Sequence, residues 1–229
     1  MRFVLLLLLA LPLSAAEVRV LAAASLTDAL QEIARAYEKQ SGDRIVFSFG
    51  ASNLLARQIA AGAPADLFLS ADEASMNRVQ TSVRVNVLSN TLVVIGKPIR
   101  RPRDLVNLKS IALAEPSSVP AGIYARQWLE RLRLWDAVKP KVIPTDNVRS
   151  ALAAVASGNA DAAIVYKTDA RISKKVRVTY VVRDGPRITY PFAVLRGAEQ
   201  PAAARRFLAY LRGKPALDTF ARHGFDVLR

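Results

Sequence analysis

The chain has 229 residues, with 33 Lys plus Arg against 19 Asp plus Glu and a net charge of +14 at pH 7. Apolar residues make up 52 % and charged residues 23 %, which excludes a disordered or fibrous chain and leaves material for one large packed domain or two small ones. The absence of cysteine excludes thiolate metal sites, disulfides, iron–sulfur clusters and cysteine nucleophiles, and a single histidine, His223, leaves little room for His-based metal or triad chemistry. A basic balance of this size points to nucleic acid or to an anionic ligand.

Residues 1–16 read as an export signal. Met1 and Arg2 give a positive start, Phe3 to Leu13 an almost unbroken Leu-rich run, and Ser14-Ala15-Ala16 a small-residue cleavage site, with the cut expected after Ala16. The run falls short of the about 20 residues that span a bilayer. No cysteine follows to carry a lipid anchor, so a freely soluble periplasmic protein is expected, with Arg2 lost and a charge of +13. Export argues against a nucleic-acid role.

From Glu17 onward, short β-rich runs alternate with helical patterns, the grammar of an α/β chain with crossover helices. Strands are expected at 18–21, 44–49 and 66–69, with helices at 27–39 and 53–61 between them. Small-residue turns follow the strands at Ala22 to Ser25, Gly50 to Ser52 and Ser70 to Asp72. Residues 83–96 form a long extended stretch, broken at Ser89-Asn90, where the chain leaves one lobe for another. After a basic loop at Arg100, Arg101 and Arg103 the pattern repeats: strand 110–114, helix 121–132, strand 142–143, helix 148–156, strand 162–166. Further strands at 176–182 and 188–195 and helices at 200–211 and 216–223 complete the chain. The expected layout is a two-lobed clamshell with two extended crossings. Lobe I takes residues 17–88 and 195–229, and lobe II takes 89–194.

In such sheets ligands lie beyond the carboxyl ends of the strands, which directs attention to the strand-to-helix turns. Ser25 and Ser52 each offer a hydroxyl beside the free amides of a helix first turn. Pro120-Ala121-Gly122 suits a helix start that an anion can approach closely. Asp146 is the expected N-cap of the next helix, leaving the Val148 amide exposed, and Tyr166 ends a strand with its phenol available. Taken singly these residues have plain roles: Ser25-Leu26-Thr27-Asp28 fits a capping box, and Tyr166 fits a half-buried core position. Together they form a cleft of neutral donors. That suits a fully deprotonated tetrahedral dianion, which accepts hydrogen bonds at every oxygen and donates none.

Ala22 to Thr27, Phe49 to Ser52 with Leu55 to Ile59, Ala61 to Asp72, Val119 to Ala125, Asp146 to Arg149, Ile164 to Tyr166 and Tyr190-Pro191 closely resemble the periplasmic molybdate-binding proteins of molybdate ABC transporters. The resemblance runs in order over essentially the whole chain after residue 16. It implies a type II periplasmic-binding fold that takes molybdate or tungstate between its lobes and passes it to a membrane permease. It also implies ligand contacts through hydroxyl and amide of Ser25 and Ser52, the amides of Ala121 and Val148, and the phenol of Tyr166. Asn53 and Leu54 depart from the small hydroxyl residues associated with this turn in the family. No direct metal ligand, cofactor or catalytic residue is expected, and the protein is expected to be a monomer.

Two rival readings remain at the level of sequence. One is a receptor for another oxyanion, sulfate or phosphate. The other is a secreted hydrolase using Ser25 or Ser52, although neither sits in a Gly-x-Ser-x-Gly elbow and His223, the sole histidine base, is expected to close a helix before Gly224. The cations at Arg100, Arg101 and Arg103 read as solvated surface.

Overall fold

The computed structural model describes residues 15–228, so the Leu-rich part of the expected signal, residues 1–14, lies outside the described residues, as does Arg229. The chain runs β1 (Glu17–Ala23), α1 (Thr27–Ser41), β2 (Arg44–Gly50), α2 (Ser52–Ala60), β3 (Leu67–Leu69), α3 (Glu73–Met76), β4 (Thr81–Asn90) and β5 (Leu92–Gly96). It continues β6 (Ile111–Ala114), α4 (Pro120–Arg131), α5 (Trp135–Val138), β7 (Val142–Thr145), α6 (Val148–Ala156), β8 (Ala162–Tyr166), α7 (Lys167–Ile172) and β9 (Val178–Val181). The last elements are β10 (Ile188–Leu195), α8 (Pro201–Leu211), α9 (Lys214–Arg222) and β11 (Asp226–Val227).

These strands form two mixed sheets in an α/β arrangement. The first has the order β11-β4-β10-β3-β1-β2 and the second β7-β6-β8-β5-β9. Within each sheet, three strands are parallel and joined by helices, β2-β1-β3 in one and β7-β6-β8 in the other, and the remaining strands add in antiparallel.

Local sequence explains the elements. α1 buries Ala29, Leu30, Ile33, Ala34 and Tyr37 at helical spacing, and it stops at Gly42, whose φ of 76° is open to glycine without a Cβ penalty. Its Tyr37 ring packs against Phe207 and Tyr210 of α8, which seats the C-terminal helices on the first sheet. β8 and β10 are buried along their whole length, as strands covered on both faces must be.

The chain passes between the sheets at two places. β4 leads into β5 through Thr91 alone, and β9 leads into β10 through residues 182–187. The crossings are tied side by side by Val182 N donating to Leu92 O at 3.0 Å, and Lys167 N at the start of α7 donates to Thr91 O at 2.8 Å.

Sheet membership departs from the expected lobe spans at two places, the first being Ser89 and Asn90, which close β4 of the first sheet. Ile188 to Val194 fall within the 89–194 span assigned to lobe II, yet β10 inserts between β3 and β4 of the first sheet. β3 is only three residues long, and β10 supplies it with an antiparallel partner that buries all eight of its own side chains. Ala16 extends the β1–β2 pairing: its carbonyl accepts from Arg44 N at 2.8 Å, and its amide donates to Asp43 Oδ1 at 3.1 Å. Cleavage after Ala16 would remove both bonds.

Candidate anion site between the sheets

A pocket of about 20 Å³ lies where the two parallel strand sets end. It is lined from the first sheet's side by Ser25, Ala51, Ser52 and Ala71 and from the second by Ala121, Asn147, Val148 and Tyr166. The volume is far below the about 300 to 1,000 Å³ of pockets for drug-sized ligands, so the site fits one small ion. All five residues singled out in the sequence therefore come together, although they are up to 141 positions apart in the chain.

Three helices aim their N-terminal turns at this point. Ser52 is the first residue of α2, Ala121 the second of α4 and Val148 the first of α6. Amides at these positions have no acceptor within their own helix. None of the three first turns carries an acidic side chain that would offset the positive end of the helix dipole. Gly122 makes the approach of α4 possible, because a Cβ there would lie 1.9 Å from Ala114 O at the end of β6.

The side chains complete the donor set. Ser52 Oγ accepts from Ala71 N at 3.0 Å, which leaves its own proton to be donated elsewhere. Ser25 Oγ lies 3.0 Å from Tyr190 Oη, and Tyr190 Oη in turn accepts from Asn90 Nδ2 at 3.2 Å. Tyr166 is 1 % exposed, and among the described residues its hydroxyl is one of three buried side-chain polar atoms with no hydrogen-bond partner. Burial pushes the Tyr166 phenol well above the usual tyrosine range, so it stays protonated and able to donate.

No side chain lining the pocket carries a charge. Arg149 follows the lining residue Val148, and its guanidinium is committed to carboxylates: Nε donates to Asp169 Oδ1 at 2.5 Å and Nη2 to Asp28 Oδ2 at 2.7 Å. Burial pushes the Asp169 carboxyl up to about 6, against the opposing pull of Arg149. No cluster of three or more His, Asp or Glu side chains able to hold a metal cation occurs among the described residues. His223 caps the end of α9 and pairs with Glu32 at 2.8 Å, away from both pocket serines.

Two expected caps differ. Asn147, not Asp146, caps α6, because Asn147 holds the extended backbone (φ −159°) that lets its Oδ1 accept from Arg149 N at 2.9 Å and Ser150 N at 3.1 Å. Ser25 does not cap α1: it sits inside a short 3-10 turn, Ala24–Leu26, and its hydroxyl is turned to Tyr190. Tyr190, Asn90, Ala71 and Arg149 acquire roles that sequence reasoning had not given them. The signal for Arg149 was its position immediately after an expected helix start. Asn90 carried none beyond its place at a strand break.

Two α/β sheets joined by paired crossings, with one small-ion pocket at the strand ends between them, define the protein as a periplasmic-binding-protein type of receptor. The chain belongs to the bacterial extracellular solute-binding protein family, whose profile matches residues 18–226. It is 40 % identical over 230 residues to the molybdate-binding protein ModA of Escherichia coli (strain K12), covering 92 % of this chain and 89 % of that protein. The solved substrate-binding domain of a putative molybdenum ABC transporter from Clostridium difficile matches with a TM-score of 0.72 at 32 % identity, covering 94 % of this chain and all of the other. The periplasmic molybdate-binding protein of Azotobacter vinelandii shares the fold, with a TM-score of 0.83 at 23 % identity, 93 % of this chain and all of the other being covered.

Proposed function

We propose that the protein captures molybdate, and likewise tungstate, in this pocket and delivers it to the permease of an ABC transporter. The observation that carries the reading is a cradle of neutral donors fed by three helix N-termini and two serine hydroxyls, with a buried phenol left unpartnered. A dianion with four acceptor oxygens satisfies such a set, and the set satisfies it. A protonated phosphate would bring a donor of its own, and no carboxylate lines the pocket to receive it. The ligand is held through its oxygens by Ser25, Ser52, Ala121, Val148 and Tyr166, with no bond from protein to metal. Membership of a solute-binding protein family supports binding without turnover and without a cofactor. The names of the relatives support the ligand, and the Leu-rich start supports export to a periplasm. There the protein would act as a monomer beginning at Glu17.

Calorimetry of the exported protein with molybdate, tungstate, sulfate and phosphate tests this reading. Tight binding of the first two with weak or no heat from the others is expected. Equal competition by sulfate, or no heat with molybdate, would reject it. Intact mass of the exported protein checks the start at Glu17.

A further inference from the structure

The guanidinium of Arg149 touches both halves of the molecule. Arg149 stands on α6 and Asp169 on α7, beside the second sheet, whereas Asp28 opens α1 and Ser25 precedes it, beside the first. One Nη2 reaches Asp28 Oδ2 at 2.7 Å and Ser25 O at 3.3 Å, while Nε is held by Asp169 at 2.5 Å. Asp169 is fully buried, three positions after Tyr166. Two ends of this network are pocket residues: Val148 adjoins Arg149, and the Ser25 carbonyl accepts from Arg149.

We infer that Arg149 is a closure latch, a positioning residue that bonds across the cleft only when the two halves meet and so sets how fast the captured ion leaves. The inference rests on the pocket being the ligand site. The Arg149–Asp169 bond joins groups of the same half and survives opening, so the guanidinium stays aimed. Its bonds to Asp28 and Ser25 O join opposite halves and must break before the pocket can open. They are charge-assisted, and Arg149 is only 22 % exposed at its side chain, which limits screening. The other cross-half ion pair among the described residues, Lys167–Asp226 at 3.1 Å, sits at the crossings, where Asp226 pairs with Ser89 and Lys167 N bonds Thr91 O. Its short lever arm gives it little hold on the pocket.

Asp28→Ala removes the cross-cleft carboxylate without touching a pocket residue. Stopped-flow release of molybdate should be faster by about tenfold, the scale of one charged hydrogen bond, with the association rate changed less than about twofold. Asp226→Ala should leave release unchanged. An unchanged release rate in Asp28→Ala, or an equal acceleration in Asp226→Ala, overturns the latch. If the wild-type protein takes up no molybdate, the ligand reading fails. The latch is then read from small-angle scattering of the ligand-free proteins, where Asp28→Ala should show a larger radius of gyration than wild type. Superimposable profiles overturn it.

Discussion

Ser25 Oγ and Tyr190 Oη lie 3.0 Å apart, and this contact holds the serine hydroxyl in place. Asn90 Nδ2 has no lone pair to offer, so Tyr190 Oη accepts from it, and either hydroxyl can be the donor between Tyr190 and Ser25. Ser25 comes from the first turn after β1, Tyr190 from β10 and Asn90 from the last position of β4, so a strand crossing positions a pocket hydroxyl.

Tyr190→Phe should weaken molybdate binding by about 0.5 to 1.5 kcal/mol, because Ser25 loses the hydrogen-bond partner that fixes its direction while the packing of the ring is kept. Calorimetry measures the change. The aromatic contacts of Tyr190 with Tyr166 and Phe225 remain, so the melting temperature of the ligand-free protein should move little.

Ser52→Ala removes a donor to the ligand and orphans the Ala71 amide. Binding should weaken by about 1 to 3 kcal/mol, the range for a hydrogen bond to a charged partner. An unaltered affinity would take Ser52 out of the site.

Gly122→Ala puts a methyl group 1.9 Å from Ala114 O and 2.8 Å from Glu115 O, both backbone atoms that cannot swing aside. The α4 start must retreat, taking the Ala121 amide with it. A destabilisation of about 1 to 3 kcal/mol is expected from overpacking, together with a much reduced thermal shift on adding molybdate. Differential scanning calorimetry with and without ligand checks both.

Acid should loosen the first sheet through Asp43. Burial works to raise its carboxyl, but the Arg206 guanidinium and the Tyr37 hydroxyl, joined in the uncleaved chain by the Ala16 amide, hold it below the usual carboxylate range. A carboxylate lowered in the folded state binds its proton more readily when unfolded. Its contribution is complete above the unfolded value near 4 and is lost as the pH falls below it. Asp43→Asn should cost about 1 to 3 kcal/mol at pH 7 and flatten the fall in stability between pH 5 and 2, roughly. Denaturant titrations across that range would show a parallel fall in both proteins if Asp43 were not the group responsible.

Arg101→Gln should leave molybdate affinity nearly unchanged at physiological salt. The side chain is 76 % exposed and already faces Asp104, and exposed charges are screened beyond about 8 Å. A large loss would mean that a basic side chain reaches the ligand.

Much of the fold was legible because its elements are locally consistent. α1 reads as a helix from Leu30, Ile33 and Tyr37 and stops at Gly42, and β8 reads as a buried strand from Ala162 to Tyr166. α7, which follows β8 without a loop, was missed, since Lys167 to Ile172 is short and carries no apolar period. The Asn147 cap was missed because Asp146 and Asn147 are both good capping residues, and only the backbone angle chooses between them.

The sequence by itself determined the chemistry available. With no cysteine, one histidine and small residues after each strand, it left hydroxyls and backbone amides as the recognising groups, and it named Ser25, Ser52, Ala121, Val148 and Tyr166. Only the tertiary structure decided how those groups are aimed and what holds the halves together. The insertion of β10 beside β3, the Ser25–Tyr190–Asn90 chain and the Arg149 contact with Asp28 join residues 100 to 165 positions apart. Local propensity acts over a few residues and carries no information on such pairings, which are fixed by burial and by the need to satisfy every buried polar group.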